Sequence, residues 1–157
     1  QAKAIETRLL NLDVRVIALG TVVERMIYDK ETIAVQAGKP VEFRFSNTDN
    51  MPHNFAIVKP GSLEEIGLAA EATAGDADVK ERQYVPKSTK VLLASRLLSP
   101  GETQAITFET PREPGIYPYV SRALASDVRS FACCRQSEGV PASTRKVSCG
   151  QSDGDEG

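Results

Sequence analysis

The sequence predicts an all-β sandwich, because short apolar runs alternate with polar residues, turn-forming residues punctuate those runs, and the single helical pattern is brief. The alternation is clearest where Val41, Phe43 and Phe45 share one face of an extended segment and Glu42, Arg44 and Ser46 share the other. Successive side chains of a strand point to opposite sides, so one of these faces is core. Ala37, Gly38, Lys39 and Pro40 precede the segment and Asn47, Thr48, Asp49 and Asn50 follow it, and both groups favour turns. Further strands are expected over residues 12–18, 31–35, 54–58, 91–94, 104–108 and 116–120. Ser99, Pro100, Gly101 and Glu102 form another tight turn.

Between the runs at 54–58 and 91–94 the character changes, and residues 62–72 read as a helix. Ser62 and Glu65 have the spacing of a capping box, in which each side chain satisfies a backbone N–H of the first turn. Gly67 weakens the helix by about 1 kcal/mol relative to alanine. Residues 76–90 are polar and read as a surface excursion, and Glu64, Glu65 and Glu71 are expected to face solvent. No internal repeat is visible.

With 157 residues the chain has room for one ordinary domain with a sizeable core. Nineteen Lys and Arg against 21 Asp and Glu leave a net charge of −2, which supplies no field for holding phosphate backbones or anionic lipid. No nucleic-acid partner is expected. No run approaches the roughly 20 apolar residues needed to cross a bilayer, and no charged-then-apolar leader opens the sequence. No membrane span is expected, and the chain reads as soluble. It begins at Gln1 rather than Met, which suits either a processed export product or a segment of a longer chain. Cys133, Cys134 and Cys149 all fall late rather than being spread as a disulfide framework would be. No Cys-x-x-Cys-His motif is present, so no haem attachment is expected.

The only histidine, His53, stands in the run Asn50-Met51-Pro52-His53-Asn54-Phe55. A lone histidine at a strand mouth is by itself more often hydrogen-bonded or solvated than ligating, and its neighbourhood is what makes it a candidate. The stretch from Ala37 to Phe45, followed by Asn47-Thr48-Asp49-Asn50-Met51-Pro52-His53-Asn54, resembles the first copper-ligand region of the azurin/auracyanin branch of the cupredoxins, the blue (type 1) copper proteins that include plastocyanin. A helical flap, the turn at Ser99 to Glu102 and Pro114-Gly115-Ile116-Tyr117-Pro118-Tyr119-Val120 follow in family order, so the resemblance covers residues 12–120. It implies a cupredoxin-like Greek-key β-sandwich with a short helical flap insertion. It also implies a copper ion, one-electron exchange with a redox partner protein, and a periplasmic or otherwise extracytoplasmic location. His53 would be the first imidazole ligand, with the Pro52 carbonyl near the metal and Asn54 bracing the ligand loop. Residues 1–11 would be an N-terminal lead.

In the family, a Cys, a His and a Met follow the Tyr-Val strand from one loop. Here Ser121 occupies the Cys position, no histidine follows His53, and neither Met26 nor Met51 follows Val120. An electron-transfer copper needs two imidazoles, a thiolate and a weak axial ligand, because thiolate covalency and constrained geometry set potential and speed. A serine hydroxyl is a hard, protonated, poor donor for copper, whereas a thiolate is soft and charged. This copy is therefore expected to be impaired, with a metal-free sandwich, relic or binding module, as the alternative.

Casting Asp49, His53 and Ser121 as a catalytic triad lacks nucleophile-elbow glycines around Ser121. Cys133 and Cys134 with Cys149 lack the spacing of zinc knuckles. The chain reads as an electron carrier rather than a catalyst, and these cysteines as dangling thiols.

The protein sequence from Tyr119 through Cys134 permits a second message in its codons when they are read from their second base. The outer bases of each shifted codon are then fixed by the protein and the middle base is free. One choice of middle bases spells Thr-Phe-Pro-Gly-His-Trp-Arg-Arg-Met-Tyr-Gly-Ala-Leu-Arg-Val-Val, which contains the family's missing His and Met. Residues 121–157 are thus expected to be out-of-frame translation after Val120. They show neither strand nor helix period and are rich in Ser, Gly, Arg and Asp. The expectation is an aberrant, disordered tail that leaves an unpaired sheet edge on a marginal domain.

Overall fold

In the computed structural model, which describes residues 14–25, 27–121 and 124–134, the alternation at Val41, Phe43 and Phe45 becomes strand β4 (Pro40–Ser46), with those three side chains buried. Two neighbours lie alongside it. Strand β1 (Arg15–Val22) runs parallel and turns Ile17, Leu19 and Thr21 inward, while β7 (Thr103–Glu109) runs antiparallel on the other side. A two-residue strand, β2 (Ile27–Tyr28), completes this sheet in the order β2-β1-β4-β7.

The second sheet contains β3 (Thr32–Gln36), β5 (Ala56–Val58), β6 (Val91–Ala94), β8 (Gly115–Ser121) and β9 (Leu124–Cys134), in the order β3-β9-β8-β5-β6. Here β3 and β9 are parallel and the remaining pairs antiparallel. The two sheets enclose an aromatic core. Phe43 packs with Phe55 at 5.3 Å and Phe131 at 6.0 Å between ring centres, and Phe45 meets Phe55 edge-on at 5.1 Å. Offset and edge-to-face aromatic pairs of this kind are worth about 0.5–1.5 kcal/mol beyond the area they bury. The predicted sandwich and its helical flap, α1 (Leu63–Ala72), are therefore present.

Several expectations need correction. The first strand starts at Arg15, three positions later than expected, and residues 12 and 13 lie outside the described residues, as does the lead at 1–11. The capping box does not form. The Ser62 hydroxyl donates to the Lys59 carbonyl at 2.6 Å instead of to the first helical turn, and Glu65 is paired with Lys90. Residues 76–90 are turns and irregular segments, as expected of a surface excursion, yet Val79 and Pro86 are buried within them.

The sheet does not end at Val120. Ser121 closes β8, and residues expected to be disordered form β9, so the neighbour strands have a partner rather than an open edge. The physical reason is that ladder hydrogen bonds are made by backbone and tolerate many side chains, provided the inward positions are apolar. Phe131 and Cys133, two apart and so on one face, are both buried against the core. Arg129 adds an ion pair with Glu31 at 3.5 Å. Residues 135–157, the rest of the expected tail, lie outside the described residues.

Candidate metal centre

The loop that carries His53 is built from the turn chemistry after β4. Asn47 is its hub. The buried Asn47 amide donates to the carbonyls of Met51 at 2.8 Å and Leu98 at 2.9 Å, and its Oδ1 accepts from the Thr21 hydroxyl and the Asp49 N–H, each at 3.0 Å. Gly101 donates its N–H to the Asn47 carbonyl at 2.8 Å with φ of +81°, a left-handed conformation that glycine adopts without a Cβ penalty. Two segments distant in sequence, at Thr21 and Leu98, are thereby tied to one side chain. Two backbone hydrogen bonds with Leu98, at 3.0 and 2.8 Å, then fix His53.

The ring is held from both ends. Its Nε2 lies 2.9 Å from Asp49 Oδ2, and its Nδ1 lies 3.4 Å from the Ser121 hydroxyl at the end of β8. All three side chains are buried. Asp49 also accepts the backbone N–H groups of Glu24 at 3.0 Å and Asn50 at 2.7 Å. These two backbone hydrogen bonds, aided by His53, outweigh burial and hold the Asp49 carboxyl below its ordinary range. An ionised carboxylate only accepts, so Nε2 carries the proton that it shares with Asp49. In the neutral ring Nδ1 then presents its lone pair toward Ser121.

Asn54 is buried, and its side chain donates to the Gln83 carbonyl at 3.0 Å while its own carbonyl accepts from the Tyr28 hydroxyl at 2.8 Å. Pro52 is solvent-exposed immediately before the histidine. Sequence reasoning missed Asn47 and Thr21, which orient the loop. The signal was a turn-rich run directly after a strand, which fixes the type of segment but not which amide reaches inward.

Asp49, His53 and Ser121, set aside as a triad from sequence, do meet. Their contact to the hydroxyl is at the outer limit of hydrogen bonding, and the ring faces it with Nδ1 rather than Nε2. Two donors face one another at the candidate centre, an imidazole nitrogen and a hydroxyl. Among the described residues no group of three or more His, Cys, Asp or Glu is arranged to hold a metal. That pair is not the donor set of a type 1 copper, which needs a thiolate.

A two-sheet sandwich that seats a buried histidine, from the loop between β4 and β5, against the end of β8 is the frame of a cupredoxin. The sequence matches the family described as copper binding proteins, plastocyanin/azurin family, over residues 16–122. The chain belongs to that family. Auracyanin-A of Chloroflexus aurantiacus is 34% identical over 107 residues, which is 66% of this chain and 63% of that protein. The chain thus matches less than two thirds of that relative's length. The structure of reduced auracyanin from Roseiflexus castenholzii is similar with a TM-score of 0.65 and 26% identity, covering 76% of this chain and 96% of that one. Auracyanin A of Chloroflexus aurantiacus, described as a blue copper protein, gives 0.65 and 27% over 75% and 97%. An azurin from Methylomonas sp. strain J, at 16% identity and a TM-score of 0.64 over 76% of this chain and 97% of that one, shares the fold.

Proposed function

We propose that this chain descends from one-electron carriers that use a copper ion at the mouth of the sandwich, and that this copy is impaired in that role. His53 supplies one imidazole donor, Ser121 stands at the position of the family's Cys, and no His or Met follows Val120. The observation that carries the reading is the Ser121 hydroxyl standing opposite His53 Nδ1. Copper bound there would supply reversible one-electron redox chemistry to the family. In this chain the residues at hand orient the ring through Asp49 and place a poor donor where a soft one is required.

The chain is read as a carrier rather than a catalyst, exchanging electrons with a protein partner when its site is intact. An extracytoplasmic location is inferred from the family. No helix among the described residues is long and apolar enough to cross a membrane. Pro52 is assigned to the rim of the centre, and Asn54 to bracing the loop through Gln83 and Tyr28.

The loss of ligands is attributed to a small deletion after Val120 that shifted the reading frame. Determining the gene's codons between Tyr119 and Cys134 tests this, and any codon series that does not spell the hidden His and Met rejects it. The functional reading is tested by titrating the purified metal-free chain with copper(II). The expected result is weak binding that disappears in His53→Ala, with no intense visible thiolate-to-copper band. An intense band with a reversible couple would mean a working centre, and no binding at all would mark a metal-free module.

A further inference from the structure

Helix α1, the segment at residues 84–86 and the ends of β5 and β8 surround a cavity of about 560 Å³, which also borders Asn54 and Ser121 of the candidate centre. That volume lies within the roughly 300–1,000 Å³ range of small-molecule sites. Its buried wall is formed by the apolar Ala56, Ile66 and Pro86 together with the polar Asn54 and Ser121. Its exposed lining carries Glu64 and Glu71, a pair two helical turns apart on α1. Among the described residues no lysine, arginine or histidine lines the cavity and neither glutamate forms a salt bridge, whereas Glu65 between them is paired with Lys90.

Two backbone features keep this space as it is. Gln83 and Tyr84 are consecutive non-glycine residues with φ of 54° and 62°, a strained arrangement that persists only where the surroundings over-determine it. They are held by the Asn54 amide on the Gln83 carbonyl at 3.0 Å, by the Leu97 N–H on the Gln83 side chain at 2.7 Å and by the Tyr84 N–H on Val79 at 2.8 Å. The effect is to set Tyr84 and Val85 into the cavity lining. Gly67 also lines it. Glycine is unfavourable inside a helix, and a Cβ at Gly67 would meet nothing within 4 Å, so no neighbour demands its absence. Its effect is to leave the helix face recessed over the cavity.

We propose that this flap cavity binds a small organic cation with an apolar body, an arylalkyl or alkyl amine. The ammonium group would sit at the mouth between Glu64 and Glu71, and the apolar body would lie against Ile66, Ala70 and Tyr84. An aromatic ring attracts a cation over its face, so Tyr84 suits this occupant as well. An organic anion is disfavoured because among the described residues it would meet two carboxylates without a salt-bridge partner and no basic group. The inference does not depend on copper.

Calorimetric titration of the full chain, without metal, with 4-phenylbutylamine, 4-phenylbutanol and 4-phenylbutyrate tests it. The amine is expected to bind roughly fivefold more tightly than the alcohol, in line with the modest worth of exposed ion pairs, and the carboxylate more weakly than either. Added salt should narrow that gap. Glu64→Gln with Glu71→Gln, both at exposed positions, should bring the amine down to the affinity of the alcohol. Gly67→Leu adds a helix-favouring side chain in open space and should abolish binding of all three while far-UV circular dichroism is retained. Equal affinity for amine and carboxylate, unchanged binding in folded Gly67→Leu, or no binding of the amine at millimolar concentration would each overturn the proposal.

Discussion

The Nε2–H of His53 donates to Asp49 Oδ2 at 2.9 Å with both side chains buried, so the carboxylate sets the tautomer and the direction in which Nδ1 looks. The arrangement is independent of what faces Nδ1. Asp49 is fixed by the backbone of Glu24 and Asn50, and the ring by the Leu98 backbone. The Nδ1 atom therefore stays oriented toward the Ser121 hydroxyl, 3.4 Å away.

This relationship has an acid limit. The unfolded Asp49 carboxyl titrates near its ordinary value of 3.8, and in the folded protein the backbone donors lower it. As pH falls, the unfolded state takes up its proton first, so the stabilisation is fully present above the ordinary value and is lost on the way down to the folded one. Asp78, lowered chiefly by Arg82, and Glu102, lowered chiefly by the Ser99 N–H, act in the same direction. Urea unfolding at a series of pH values should show stability falling below about pH 5. In Asp49→Asn that fall should be shallower, and an identical slope would contradict the assignment.

Ser121→Cys tests whether the frame still accepts a metal. The thiol would stand near His53 Nδ1, whose distance from the present hydroxyl is 3.4 Å, and a thiolate ligates borderline metals that a hydroxyl does not. Cobalt(II) should then give sulfur-to-metal absorption in the near ultraviolet. The added signal must vanish when His53→Ala is combined with Ser121→Cys, because the native cysteines remain in both proteins. A signal that survives loss of His53 would place the metal elsewhere.

Asn47→Ala removes both halves of the loop's hub and leaves the Met51 and Leu98 carbonyls and the Thr21 hydroxyl short of a partner. Unsatisfied buried polar groups cost about 1–3 kcal/mol each, partly recovered by water and relaxation. A loss of about 3 kcal/mol is expected in denaturant unfolding. A change below about 0.5 kcal/mol, the level of an ordinary surface substitution, would show that the loop does not depend on this amide.

The sandwich was legible because Val41, Phe43 and Phe45 alternate and because turn residues bracket each run, both local properties of the chain. His53 was legible as a candidate from its sequence neighbourhood. What was not legible was set by which of several available partners each group takes in the folded chain. Ser62 and Glu65 have capping spacing, yet the Lys59 carbonyl and Lys90 outcompete the helix terminus for them. Asp49 and Ser121 reach the two ring nitrogens from positions 4 and 68 residues away in sequence. Strand β9 was invisible because its pairing depends on ladders supplied by β3 and β8 rather than on its own composition.

Cys133 reports directly on that last strand. It is paired with Val35 on one side and Gly115 on the other, its side chain is buried with the aromatic core, and burial pushes its thiol up to about 11. The thiolate is the reactive species, so a thiol that is both covered and protonated at neutral pH should be slow toward an aromatic disulfide reagent. In the native protein the Cys133 thiol, assigned by Cys133→Ala, is expected to be protected and to become reactive in denaturant. The protection should be lost on the timescale of unfolding rather than of reagent diffusion. If Cys133 instead labels at once under native conditions, β9 is not docked, and the sandwich ends at β8 with its neighbour strands exposed.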